Sequence, residues 1–195
     1  KVINAKATNI HSPSDERQAP FCPVFDVCGG CQLQHIKPDA ALMQRDRALK
    51  VMMERHLAMK PHVWQAPLAG PRPQYRRKAR LAIDARNPNQ IKLGFREANS
   101  SNVINVETCP ILVDPLSKLI GPLRDALTGF ESARHIGHIS LIAGDNTSHL
   151  VIKHTKALEA ELIDAVSELV STSSSVGVCG IELKLENKQG QIRSV

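Results

Sequence analysis

The feature that most constrains this chain is the stretch Cys22-Pro23-Val24-Phe25-Asp26-Val27-Cys28-Gly29-Gly30-Cys31-Gln32-Leu33-Gln34-His35. Three cysteines stand at C-x5-C-x2-C spacing, and a fourth, Cys109, follows far downstream, just before Pro110. Thiolates are good ligands for soft metals, and four of them suit an iron–sulfur cluster or a structural zinc. Gly29 and Gly30 permit the backbone angles that turn two sulfurs towards one centre. The Cys109-Pro110 step echoes the last ligand of ferredoxin runs. Spacing alone does not separate iron–sulfur from zinc. The fifth cysteine, Cys179, lies in the apolar run Val176 to Ile181 and reads as a small buried hydrophobe.

Composition narrows the classes. Five cysteines, odd in number and clustered at ligand spacing, fit a reducing cytosol better than a disulfide framework. Aromatic residues make up 3% of the chain and apolar residues 42%, so the core is built from Leu, Ile, Val and Ala. A formal charge of +6 favours an anionic partner. No apolar run is long enough to span a bilayer, and no signal peptide opens the chain. The sequence starts at Lys1 without a methionine, as expected of a piece of a longer protein.

Residues 1–10 alternate weakly and predict one strand, with a linker over His11 to Arg17. Asp39 is expected to cap a helix from about Ala40 to Ala58. Leu42, Leu49, Met52, Met53 and Leu57 form its apolar stripe, opposite Arg45, Arg47, Lys50, Glu54 and Arg55. Arg76 to Ala85 and Ile91 to Arg96 alternate as two strands around Asn87-Pro88-Asn89. Leu81 and Ile83 share one face with Arg77 and Ala79, and Arg76, Lys78 and Arg80 share the other. Asp114 is read as the cap of a helix to about Thr128. A second hairpin spans Ile136 to Ala143 and Leu150 to His154, a helix covers Leu158 to Val170, and a last strand covers Val176 to Glu186. The order predicts an α+β fold, an antiparallel sheet flanked by helices.

Residues Arg72 to Arg96 hold eight Lys or Arg against one acid, Asp84. A one-sided basic stripe is the electrostatic footprint of a nucleic-acid binder. Arg76, Arg77, Lys78, Arg80, Lys92 and Arg96 are the candidate RNA contacts, meeting phosphates that position RNA without reading it. Tyr75 is a candidate for stacking on an unpaired base; Phe95 falls on the core face. His135 and His138 stand at a spacing seen in metal sites but without further ligands nearby in sequence, so structural or RNA-contacting roles are expected of them. No catalytic arrangement can be read, and no glycine-rich strand-to-helix turn of the dinucleotide type occurs.

The cysteine motif is similar to the cluster motif of bacterial 23S rRNA (uracil-5-)-methyltransferases. Further matches follow in order: Tyr75-Arg76-Arg77-Lys78-Ala79-Arg80-Leu81, then Leu93-Gly94-Phe95-Arg96 leading to Cys109-Pro110-Ile111-Leu112, then Arg134-His135-Ile136-Gly137-His138. The x5 spacing and the Gly-Gly pair favour the branch acting near the peptidyl transferase centre. The resemblance implies that Cys22, Cys28, Cys31 and Cys109 bind one [4Fe–4S] cluster. It implies a cytoplasmic enzyme whose partner is 23S rRNA and whose cofactor, S-adenosylmethionine, binds a C-terminal methyltransferase domain. That domain is expected to lie outside this chain, so the chain alone is expected to be inactive. Residues 1–14 would be the end of a truncated N-terminal β-barrel and a linker, and 15–195 a central iron–sulfur RNA-binding domain. Helix 40–58 would pack with the missing domain, and its uncovered stripe is expected to drive self-association. Two rival classes are a zinc-dependent RNA-binding module without activity and an electron-transfer iron–sulfur protein.

Overall fold

Apolar and charged residues alternate along Lys78–Asp84, and the structure turns that alternation into a strand with two unlike faces. Ala79 and Leu81 are buried while Lys78 and Arg80 are exposed. The computed structural model describes residues 3, 7–57, 62–70, 72–173 and 180–195. The elements run α1 (Pro38–Leu57), β1 (Lys78–Asp84), β2 (Lys92–Arg96), β3 (Val103–Asn105), α2 (Asp114–Lys118), α3 (Ile120–Leu127), a 3₁₀ turn (Glu131–His135), β4 (Ile136–Ala143), β5 (Ser148–His154), α4 (Ala160–Thr172), β6 (Ile181–Glu186) and β7 (Ile192–Ser194). They fall into two compact units, Lys1–Pro23 with Cys31–Ala69, and Val24–Gly30 with Gly70–Val195.

The second unit holds a seven-stranded sheet in the order β3-β2-β1-β4-β5-β6-β7. Five of its pairs are antiparallel, whereas β5 and β6 run parallel. The wholly antiparallel sheet expected from sequence is therefore corrected at one place. Helix α4 is the cause: a crossover helix returns the chain to the end of the sheet it left, so the next strand is parallel. The core lies between one face of the sheet and helices α2 to α4. Leu81, Leu93, Ile139, Leu141 and Leu150 on the strands, and Ile120, Leu123, Leu127, Leu162 and Val166 on the helices, are fully buried. Each such side chain stabilises the fold by roughly 1.5–3 kcal/mol before entropy is counted. Among the described residues, the opposite face carries no helix of this unit.

Several boundaries differ from the sequence reading. Asp114 is not a cap; it sits in the first turn of α2, behind Val113, and pairs with Lys118 at 2.5 Å. The single helix expected after it is broken at Leu119. Pro122 explains the break, because its ring clashes with the carbonyl four residues back and it offers no N–H. Asp39 likewise lies inside the first turn of α1, which begins at Pro38, a residue suited to the first helical position. Strand β3, the 3₁₀ turn and β7 were not foreseen. The described residues 7–10 are irregular, not strand. Cys179 and the start of the expected last strand lie outside the described residues.

In the first unit, α1 is tied to the segment that follows it. The Trp64 indole N–H donates to Asp46 at 2.7 Å, Lys50 pairs with Asp46 at 2.9 Å, and the Lys50 ammonium lies 5.2 Å from the Trp64 ring. The indole hydrogen bond, with Lys50 second, holds the Asp46 carboxyl below its ordinary range. The apolar stripe is largely uncovered: Leu49, Met52 and Leu57 are 45%, 50% and 51% exposed, and Met53 is half-buried.

Candidate metal centre and basic face

The cysteines are held by their backbones. An N-terminal arm pairs with the segment after the motif: Arg17 bridges Ile36, the Gln18 amide donates to His35 O at 3.0 Å, and the Lys37 amide to Glu16 O at 2.7 Å. This pairing seats the buried Gln34, whose Oε1 accepts the Cys22 amide at 3.1 Å. Cys28 extends the end of β2. It bridges Glu97, while the Gly29 amide donates to Arg96 O at 3.0 Å and the Ala98 amide to Val27 O at 2.9 Å. A Cβ on Gly29 would lie 3.1 Å from Arg96 O, so the loop approaches β2 too closely for a side chain there to fit without a shift. The Gly30 amide points at the Cys28 sulfur, 3.4 Å away. Cys109 donates its amide to the buried Ser117 Oγ at 2.9 Å.

The side chains of Cys22, Cys28, Cys31 and Cys109 are all half-buried, and none is placed in a disulfide. Cys22 and Cys31 belong to the first unit, Cys28 and Cys109 to the second. Among the described residues, no three His, Cys, Asp or Glu side chains are grouped as a metal site. Of these thiols, the Cys28 sulfur accepts a backbone N–H, from Gly30.

The basic residues sort by register. Ala82 faces Gly94 and Asp84 faces Lys92. Lys78, Arg80, Lys92 and Arg96 therefore share the face away from α2–α4, and all four are exposed. Arg76 is exposed just before β1, where its backbone bridges Leu112. Arg77 is used differently. Its guanidinium donates to Ala143 O at 3.1 Å and Gly144 O at 2.7 Å and pairs with Asp145 at 2.8 Å, fastening the β4–β5 turn. Arg96 spends one N–H on Ser101 O at 2.8 Å. Asp84, the segment's single acid, is matched by Arg86 at 2.6 Å, and the Arg86 hydrogen bond lowers its carboxyl to about 2. Tyr75 is 54% exposed, whereas Phe95 packs partly buried against the core.

The face continues beyond the hairpin. A register shift between Ile136 and His138 makes Gly137 an extra residue, so Ile136 turns to the core and His138 to the open face. His138 Nδ1 lies 3.1 Å from the Arg80 guanidinium. Arginine only donates, so Nδ1 accepts and the ring proton sits on Nε2. Lys153, opposite His138, pairs with Glu186 at 2.5 Å. Sequence reading missed Lys153; its parity with Val151, away from Leu150 and Ile152, was the signal available. Burial first, then the charges of Arg80 and Lys153, push the His138 pKa down, against the weaker pull of Glu186.

No family model matches the chain. It is 66% identical over 195 residues to the "23S rRNA (uracil(1939)-C(5))-methyltransferase RlmD" of Alteromonas mediterranea, spanning 100% of this chain and 39% of that protein. It is 54% identical over 168 residues to the protein of the same name from Alteromonas naphthalenivorans, spanning 86% of this chain and 36% of that one. Along its whole length the chain is homologous to part of 23S rRNA (uracil-C5)-methyltransferases. It spans about two fifths of the length of these curated relatives. The fold is similar to that of a crystal structure of Pyrococcus abyssi tRNA (uracil-54, C5)-methyltransferase in complex with S-adenosyl-L-homocysteine, with a TM-score of 0.55 and 16% identity, over 91% of this chain and 39% of that one. Among the described residues no helix is long and apolar enough to cross a membrane.

The depressed His138 gives a pH prediction. Its folded pKa lies below the ordinary 6.5, so the folded chain keeps it neutral where the unfolded chain takes up a proton. Its contribution to stability is complete above 6.5 and is lost as pH falls through the folded value. Urea midpoints measured across that range should fall on acidification, and less steeply in His138→Asn. An equal slope in both proteins would contradict this reading.

Proposed function

We propose that this chain is the RNA-binding, [4Fe–4S]-containing central part of an S-adenosylmethionine-dependent methyltransferase that makes 5-methyluridine in 23S rRNA. The observation that carries the RNA-binding reading is the face bearing Lys78, Arg80, Lys92 and Arg96, away from α2–α4, with Arg76 beside it, and with Asp84 matched by Arg86 and Glu186 by Lys153. Such a face neutralises phosphates and releases their counterions. Arg77 contributes charge at the rim while holding the β4–β5 turn. Exposed Tyr75 supplies a ring for an unpaired base.

Cys22, Cys28, Cys31 and Cys109 are the proposed cluster ligands. Bound there, the cluster supplies a covalent cross-link between distant chain segments. It takes no part in methyl transfer. Homology to 23S rRNA (uracil-C5)-methyltransferases and the spacing and half-burial of the four thiols support this assignment. Residues 1–14 are assigned to the end of a barrel and its linker, and residues 15–195 to the central domain of a cytoplasmic enzyme. No residue of this chain is assigned to catalysis. Attack of a cysteine on uridine C6, methylation at C5 and loss of the C5 proton belong to the remaining length of such an enzyme.

The open side of α1 is the assigned seat of that methyltransferase domain. Without it, Leu49, Met52 and Leu57 expose apolar surface worth roughly 25 cal/mol per Å² once covered, and two copies of the stripe can cover each other. Sedimentation of the chain should show concentration-dependent dimers, absent in Leu49→Lys/Met52→Lys. A chain that stays monomeric at high concentration would refute the assignment.

RNA binding is tested with a 23S rRNA fragment. Affinity should fall steeply with salt, and changing Arg76, Lys78 and Arg80 together to Ala should weaken binding at least tenfold and flatten the salt slope by about 3. Unchanged affinity in the triple variant, or methyl transfer by residues 1–195 alone, would sink the proposal.

A further inference from the structure

The open face of the sheet is cationic at one end and neutral at the other, and one cluster of side chains marks the border. Lys78, Arg80, Lys92 and Arg96 stand exposed on β1 and β2. On β6 the carboxylates are matched: Glu182 pairs with Lys184 at 3.0 Å, and Glu186 pairs with Lys153 of β5 at 2.5 Å. Between these ends lie four groups from four strands that are neighbours in the sheet: Arg80 of β1, His138 of β4, Lys153 of β5 and Glu186 of β6. His138 and Lys153 are register partners, as are Lys153 and Glu186. His138 Nδ1 accepts from Arg80 at 3.1 Å. The Lys153 hydrogen bond, followed by the charges of Lys153, His138 and Arg80, holds the Glu186 carboxyl below its ordinary range, so the four groups act on one another.

Three of the four groups are donors. A guanidinium has several N–H groups, and Arg80 gives one of them to His138. The His138 ring proton sits on Nε2, and among the described residues none accepts it. The Lys153 ammonium carries three N–H groups and directs one at Glu186. Arginine, histidine and lysine donors side by side suit an anion with several acceptor oxygens. A backbone phosphodiester is such an anion, and its charges repeat along a chain, as the cations repeat from here through Lys78 to Lys92. Glu186 is the one carboxylate in the cluster. The Lys153 and Glu186 side chains are 33% and 22% exposed, and an ion pair with that much access to water adds little to stability. An arriving phosphate can therefore take the Lys153 ammonium from Glu186 without disturbing the sheet.

We propose that Arg80, His138 and Lys153 form a subsite for one backbone phosphate of RNA, with Glu186 as the counter-ion of Lys153 until the phosphate replaces it. The proposal rests on the reading of the open face as an RNA surface, and adds a place on that face and its resting occupant. The test measures the affinity of residues 1–195 for a 23S rRNA fragment at several salt concentrations, well below the melting point of every variant. Lys153→Met, which keeps the apolar stem, should weaken binding about fivefold and flatten the salt slope by about 1. His138→Phe, which keeps a ring and removes both nitrogens, should weaken it about threefold. Glu186→Gln should tighten binding about threefold, because no carboxylate has to be displaced. Glu182→Gln makes the same change of charge on the same strand, beside Lys184 and His149, and should shift affinity by less than about twofold. In Lys153→Met/Glu186→Gln the gain from Glu186→Gln should vanish. Unchanged affinity in Lys153→Met or His138→Phe would overturn the subsite, and so would equal tightening in Glu186→Gln and Glu182→Gln. Lys78→Ala/Lys92→Ala tests the face alone. Weaker binding there, with no effect of Lys153→Met and Glu186→Gln, would keep the face reading and remove the subsite. Unaltered binding in Lys78→Ala/Lys92→Ala would overturn the face reading, and the subsite with it.

Discussion

The pairing of β1 with β4 is the contact on which the second unit depends. It joins the β1–β2–β3 meander to the β4–β7 half of the sheet. Its register sets Ala79 against Leu141 and Leu81 against Ile139, all buried beneath the helices. Arg80 is set against Ser140 on the open side. A slip of one residue would turn Lys78 and Arg80 into the core and expose Ala79 and Leu81. Burying two cations without partners costs several kcal/mol each, far more than any surface interaction returns. The hydrophobic core and the basic face are therefore one feature seen from two sides, and one cannot be lost without the other.

The second consequence concerns the cysteine loop. Val24–Gly30 belongs to the sheet-bearing unit because it extends β2, through the Cys28–Glu97 bridge and the Gly29 amide on Arg96 O. Arg96 is thus a loop anchor through its backbone and a face residue through its side chain. Metal binding at Cys28 would stiffen the strand end that presents Arg96. This ties the proposed cluster to the proposed RNA face without giving it any part in the methyl-transfer chemistry.

Much of this was legible in the sequence, for local reasons. The period-two alternation of Lys78–Asp84 and Lys92–Arg96 was strong enough to assign faces residue by residue, and the structure keeps those faces. The cysteine spacing marked the candidate ligands, though not how their backbones are held. What escaped reading depends on contacts between distant segments. The extra residue Gly137 brings Ile136 into the core although His138, two positions on, stands on the open face, and nothing local announces it. Arg77 carries the same charge as its neighbours, but the carbonyls of Ala143 and Gly144 claim its guanidinium. The parallel β5–β6 pair follows from the α4 crossover, and the break at Leu119 from Pro122, which was visible but read through. Gln34 and Ser117 look like ordinary loop and helix residues until their burial and their cysteine partners are known.

The central claim is that RNA lies on the open face of the sheet. Lysine acylation footprinting tests it most directly, because lysines sit on both sides. Lys78 and Lys92 are exposed on the open face, and Lys118, with 54% of its side chain exposed, is on the helical side. With a saturating 23S rRNA fragment at low salt, Lys78 and Lys92 should lose most of their reactivity while Lys118 keeps its own. Protection of Lys118 with Lys78 and Lys92 left reactive would contradict the account.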